Sequence, residues 1–146
     1  MEIRRSRSDE RDVLLDIWLR SVRATHGFLT EADIQALLPV VRDHALPQLH
    51  ELWVLCSDGN PIGFIGLSDH AIEALFLAPD QLRRGGGTRL VEHARRIKGA
   101  ALRVDVNEQN RGATRFYQAA GFEIVGRSPV DGDGRPFPLL HMRTAE

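Results

Sequence analysis

The stretch Ala71 to Val91, AIEALFLAPDQLRRGGGTRLV, constrains the fold more than any other part of this 146-residue chain. It reads as an apolar strand from Ile72 to Leu77, a proline stop at Pro79, a basic glycine turn from Arg83 to Gly87, and a helix starting at Thr88. A strand that feeds a glycine turn and then a helix is a device for binding an anion. The first amides of a helix lack internal partners, and the helix dipole places partial positive charge there. Gly85, Gly86 and Gly87 let the backbone approach a phosphate with no Cβ in the way. Arg83 and Arg84 add fixed positive charge. The expected ligand carries phosphate; the bland alternative is a flexible turn.

Two familiar phosphate loops do not fit. A nucleoside-triphosphate loop ends in Gly-Lys-Ser/Thr, whereas Gly87 is followed by Thr88 and Arg89. The dinucleotide fingerprint opens a βαβ unit with different glycine spacing.

The rest of the chain supplies a mixed pattern. Met1 to Arg7 is a candidate first strand. Ser8 is a candidate N-cap for a helix carrying Val13, Leu14, Ile17, Trp18 and Val22, ending near Thr25 to Gly27. Thr30 with Glu31 and Asp33 opens a second helix, striped by Ile34, Leu37, Leu38 and Val41 and limited by Pro47. Leu52–Cys56 and Ile62–Leu67 read as a hairpin around Ser57-Asp58-Gly59-Asn60. Ser68 to His70 turns the chain into the Ile72 strand. The Thr88 helix carries Leu90, Val91, Ala94 and Ile97 and ends near Gly99. Ala101–Val106 is a strand, and Asn110–Ala120 a helix stopped by Gly121. Phe122–Gly126 and Pro138–Met142 are the last strands, joined by the turn-rich Asp131–Pro136. The order β α α β β β α β α β β predicts an α/β (α+β) domain spanning 1–146, a mixed sheet with helices on both faces.

Bulk properties narrow the function classes. Net charge is −1, so no global basic field argues for nucleic acid. The single cysteine, Cys56, excludes an internal disulfide and fits a reducing, cytoplasmic setting. No apolar run approaches the ~18 residues that would span a membrane. No cluster suggests a metal.

The segment Val104 to Phe122, VDVNEQNRGATRFYQAAGF, holds Asn110-x-x-Ala113-x-x-Phe116-Tyr117-x-x-x-Gly121-Phe122. This resembles the N-x-x-A-x-x-F-Y-x-x-x-G-F pattern of the GNAT superfamily of N-acetyltransferases, in the expected position after the glycine turn. The resemblance covers the whole element order. It is nearest to small stand-alone bacterial members, matching Ala24-Thr25-His26-Gly27-Phe28-Leu29 and the run from Asp131 to Leu140. It implies a twisted, mostly antiparallel sheet of about seven strands and acetyl-CoA as cosubstrate. It implies a pyrophosphate loop at Arg83, Arg84, Gly85, Gly86, Gly87 and Thr88, with Thr88 capping the helix. Leu82 and Arg83 depart from that loop's usual Arg/Gln and glycine. The resemblance further implies that Leu75, Phe76 and Leu77 offer backbone groups to the pantetheine arm, that Asn110 meets the coenzyme, and that Tyr117 points at its sulfur.

Acetyl transfer to an amine needs a neutral amine, a stabilised oxyanion and a proton for the leaving thiolate. For a lysine amine of pKa about 10.4, deprotonation at pH 7 costs roughly 4–5 kcal/mol. Tyr117, the only tyrosine, is the candidate acid. Glu73 on the central strand is the first candidate base and His26 the second, with His70 and His141 behind them. His93 reads as helix surface. Each has a structural alternative: buried aromatic surface for Tyr117, a solvated carboxylate for Glu73, loop polarity for His26. Direct transfer in a ternary complex is expected, to a small amine or to a protein lysine or N-terminus, by a monomer or homodimer. The competing readings are a non-catalytic acyl-CoA-binding module and a nucleotide-binding domain.

Overall fold

The computed structural model describes residues 1–144. Strand β1 (Glu2–Arg5) leads through a 3-10 turn into α1 (Arg11–Thr25). Helix α2 (Glu31–Val40) continues through a π turn (Val41–Ala45) into α3 (Leu46–Gln48). Then follow β2 (Glu51–Ser57), β3 (Asn60–Ser68), β4 (Ala71–Leu77), α4 (Gly86–Lys98), β5 (Arg103–Asn107), α5 (Arg111–Ala119), β6 (Phe122–Ser128) and β7 (Leu139–Thr144). The seven strands form a single sheet in the order β1-β2-β3-β4-β5-β7-β6. Only β4 and β5 are parallel.

Local chemistry explains the turns. Asp58 and Gly59 both take positive φ, which a two-residue hairpin between β2 and β3 requires. Thr30 accepts a hydrogen bond from the Asp33 amide while the Asp33 carboxylate accepts from the Thr30 amide, a complete capping box. At the start of α1 the expectation of a Ser8 cap fails. The Glu10 carboxylate accepts from the Arg7 amide at 2.7 Å and pairs with Arg4 through two hydrogen bonds. The stop at Pro47 is displaced by one residue: Pro47 lies inside α3, and the chain leaves helix after Gln48.

Two cores flank the sheet. On one face α4 and α5 cover a cluster including Leu55, Ile65, Ile72, Leu90, Val91, Val104, Tyr117 and Met142. On the other, α1, α2 and α3 cover Val54, Cys56 and Phe64 with Leu14, Ile17, Trp18, Val22 and Ile34. Helix α1 packs on β3 and β4.

Candidate active site

Strands β4 and β5 pair only at Ala71–Arg103 and Ile72–Val104. Beyond Ile72 they diverge, and a cavity of about 660 Å³ fills the fork. Leu75, Phe76 and Leu77 form one wall; Gln109, Asn110, Arg111, Gly112 and Ala113 form the other. The glycine turn closes one side with Gly85, Gly86, Gly87 and Thr88, and the end of α1 closes the opposite side with Ser21, Thr25, His26 and Phe28. The edge of β4 that β5 abandons carries backbone groups available to a ligand's amides.

The glycines divide their work. Gly85 precedes α4 with φ of +83°, and a Cβ there would meet nothing within 4 Å. It supplies the left-handed turn and open access. Gly86 is wedged against Leu55 and Leu77, where a Cβ would lie 3.0 Å from Leu55 Cδ2. Gly87 is pressed on Phe116, its Cβ position 3.0 Å from Cζ. Two of the three glycines therefore let α4 sit close to the sheet and to α5. Helix α4 begins at Gly86, so Thr88 lies inside its first turn and is not the cap. Arg83 takes φ of +65° beside the turn. Among the described residues Arg83 and Arg111, which line the cavity, make no ion pair, leaving two cations for an anionic ligand.

Tyr117 lies at the bottom of the fork, 6% exposed, with its ring edge-on to Phe116 and Phe122 at 5.1 and 5.2 Å between centroids. Burial pushes its phenol well above the ordinary value near 10, so it holds its proton throughout the neutral range. Asn110 caps α5, its Oδ1 accepting from the Ala113 amide at 3.1 Å. That bond turns the Asn110 amide nitrogen toward His26 Nε2, 3.4 Å away. Thr25 Oγ1 donates to the Ser21 carbonyl at 2.7 Å and so accepts from His26 Nδ1 at 2.8 Å. The network assigns the proton of His26 to Nδ1. Burial holds the His26 imidazole below its usual value, which keeps it neutral.

The structure thus brings Tyr117, His26, Asn110, Leu75, Phe76, Leu77, Arg83, Gly85, Gly86, Gly87 and Thr88 around one cavity. Arg84 stands exposed beside the turn without lining it. Glu73 is not brought in. The β3–β4 register shifts between Gly66 and Leu67, leaving Glu73 as the extra residue between Ile72 and Ala74. This bulge turns Glu73, which is exposed, toward a separate depression of about 650 Å³ between the sheet and α3. His70 lies outside the fork, paired with Asp69. His93 is not helix surface: its ring stands on Trp53 at 4.3 Å, and its buried Nε2 finds no partner. Ser21, Arg111 and Phe116 line the fork but were not singled out from the sequence; the position of Arg111 and Phe116 inside the Asn110–Phe122 motif was the available signal.

Comparison with known proteins agrees with this geometry. Residues 48–124 match the family model described as an acetyltransferase (GNAT) domain. The chain is 45% identical over 143 residues to a protein of Salmonella typhimurium named peptidyl-lysine N-acetyltransferase YjaB, covering 97% of each. The solution structure of apo-form YjaB from Escherichia coli superposes with a TM-score of 0.89 at 43% identity, over 99% of this chain and 97% of that one. The fold also matches YncA of Salmonella typhimurium, an acetyltransferase solved with acetyl-CoA, at a TM-score of 0.65 and 20% identity, over 98% and 92% of the chains. This chain belongs to the GNAT family and is an acetyl-CoA-dependent N-acetyltransferase.

Proposed function

We propose that the chain transfers the acetyl group of acetyl-CoA directly to the ε-amine of a lysine in a protein or peptide. The observation that carries this reading is a single cavity in the fork that the glycine turn and the end of α1 close from opposite sides. Arg83 and Arg111 line it beside the glycine turn, and Thr25, His26 and Phe28 line it at the end of α1. The relative named as a peptidyl-lysine N-acetyltransferase supports the acceptor class.

In this reading the pyrophosphate sits on Gly85 and the first amides of α4, with Arg83, Arg84 and Arg111 meeting phosphate charge. The pantetheine amides pair with the free edge of β4 at Leu75 to Leu77, and Asn110 holds the opposite wall. The acetyl group reaches the bottom of the fork. The amine attacks the thioester carbonyl, the C–S bond breaks, and Tyr117 gives its proton to the departing thiolate. Tyr117 lines the cavity and carries its proton at neutral pH. Neutral His26, tied to Asn110, sets the wall on the acceptor side.

The test is mass-spectrometric detection of acetyl-lysine on a panel of lysine peptides incubated with the protein and acetyl-CoA. Acetylation of lysine side chains, with one CoA released per acetyl group, is the expected result. Transfer to small amines with none to peptides would contradict the acceptor class.

A further inference from the structure

Amide formation releases a proton from the attacking nitrogen, and the lining of the fork holds one group able to receive it. Among the described residues around the cavity, the titratable side chains are His26, Tyr117, Arg83 and Arg111, and no carboxylate lines it. An arginine does not give up its proton in a protein and so cannot accept another. Tyr117 keeps its own proton because it is buried. His26 is left with the one basic lone pair at neutral pH. Glu73, His70 and His141 all stand outside this cavity.

The His26 ring is set for that use. Thr25 Oγ1 donates to the Ser21 carbonyl at 2.7 Å and accepts the Nδ1 proton of His26 at 2.8 Å. Nε2 is therefore the unprotonated nitrogen, and its hydrogen-bond partner is Asn110 Nδ2 at 3.4 Å. That contact is longer than an ordinary hydrogen bond, so a closer donor displaces it. Phe28 stands beside the imidazole at 5.3 Å between centroids, with Phe137 6.3 Å beyond it. Desolvation holds the imidazole below its usual value, so it waits in the neutral form. Asn110 caps α5, and Tyr117 lies about two turns further along the same helix; both reach the cavity. Aromatic side chains on a helix lean toward its N-terminus, so the phenol leans back toward the end of α5 that His26 touches.

We propose that His26 takes the proton that the acceptor amine loses as the amide forms, with Thr25 positioning the ring; this deepens the lysine reading above and rests on it. The lysine ammonium loses its first proton to solvent, and the neutral amine enters as donor to Nε2 in place of Asn110. Its electron pair forms the C–N bond at the thioester carbonyl, and the nitrogen becomes positive. This nitrogen is a stronger acid than a free ammonium, because its new carbon carries oxygen and sulfur, and a neutral imidazole is basic enough for it. One of its two protons passes to Nε2, giving an imidazolium whose Nδ1 proton stays on Thr25. The oxyanion's electrons restore the carbonyl, the C–S bond breaks, and Tyr117 gives the sulfur its proton. His26 gives up its proton as the phenolate regains one. One amine and one thioester have become one amide and one thiol, with no net proton. His26 meets the demand that Glu73, turned away by its bulge, does not.

The experiment is steady-state kinetics of the full chain on a lysine peptide with acetyl-CoA. His26→Gln keeps a carbonyl that can accept from Asn110 but cannot take up a proton. It should lower kcat by about 100-fold or more, with the acetyl-CoA dissociation constant within about 2-fold of wild type. His26→Ala should be as slow, and added imidazole should restore rate in proportion to its concentration. Thr25→Val should lower kcat by about 10-fold. Nitrogen NMR should find the His26 proton on Nδ1 in the wild type and spread over both nitrogens in Thr25→Val. A His26→Gln kcat within about 3-fold of wild type, no gain with imidazole, or a wild-type proton on Nε2 would overturn the proposal. A fall in coenzyme affinity as large as the fall in kcat would also overturn it, since His26 would then only hold Asn110. An intact His26→Gln rate on the lysine peptide sinks the base alone. A wild type that acetylates small amines and no peptide sinks the lysine reading, and the same variants then decide the base on that amine.

Discussion

Strand β4 has two edges with opposite duties. Along one, β3 pairs from Gly63–Leu77 to Ser68–Ala71, and the chain is fixed. Along the other, β5 reaches only Ala71 and Ile72, and the backbone of Leu75 to Leu77 is left to a ligand. The same residues serve both. Leu77 fills the space above Gly63 and Gly86 on the structural side while lining the cavity on the other. An unpaired parallel edge inside a sheet would ordinarily be a defect. Here the packing of α4 and α5 holds it open, and that packing rests on glycines.

The largest effect should come from disabling chemistry on the free edge without touching the paired one. Tyr117→Phe should reduce kcat by about 100-fold or more, with the acetyl-CoA dissociation constant within about 2-fold of wild type. Steady-state kinetics and calorimetry separate the two. A large loss of affinity would instead mean that the hydroxyl holds the coenzyme.

Closing the fork from below comes next. Gly87→Val sets new methyl groups against Phe116 and should push that ring toward the cavity. The expected cost is about 1–3 kcal/mol in denaturant unfolding, with a loss of coenzyme affinity. Full stability with intact affinity would show that Phe116 has room to move.

A control far from the fork sharpens the contrast. The Arg4 guanidinium holds the Glu10 carboxyl down at about 2, from an ordinary 4.5. A depressed folded-state pKa stabilises the protein above the unfolded value and is lost as pH falls, here through the window from 4.5 to about 2. Glu10→Gln should cost about 1–2 kcal/mol at pH 7, flatten the acid unfolding curve in that window, and leave KM for acetyl-CoA unchanged. The smallest effect is expected from Arg83→Ala, about 0.5–1 kcal/mol of coenzyme binding, shrinking as salt is added.

Much of this was legible in the sequence because it depends on local signals. The Asp58-Gly59 hairpin, the Thr30 capping box, the Gly121 stop and the glycine turn all state their conformation in the residues themselves. The Asn110–Phe122 motif carries Asn110 and Tyr117, which both line the fork cavity. What was not legible depends on partners far away in the chain. The bulge that turns Glu73 aside is a register event between β3 and β4, and neither strand's own pattern reveals it. The duties of Gly86 and Gly87 depend on Leu55 and Phe116, which no spacing rule connects to them.

Amide hydrogen exchange along β4, with and without saturating acetyl-CoA, tests most directly whether its free edge receives the coenzyme. Amides of Leu75 to Leu77 that face the fork should be strongly protected by acetyl-CoA, together with those of Gly86 to Thr88, while amides paired to β3 should change little. Unchanged exchange at Leu75 to Leu77, with protection appearing at the depression beside Glu73 instead, would contradict the account.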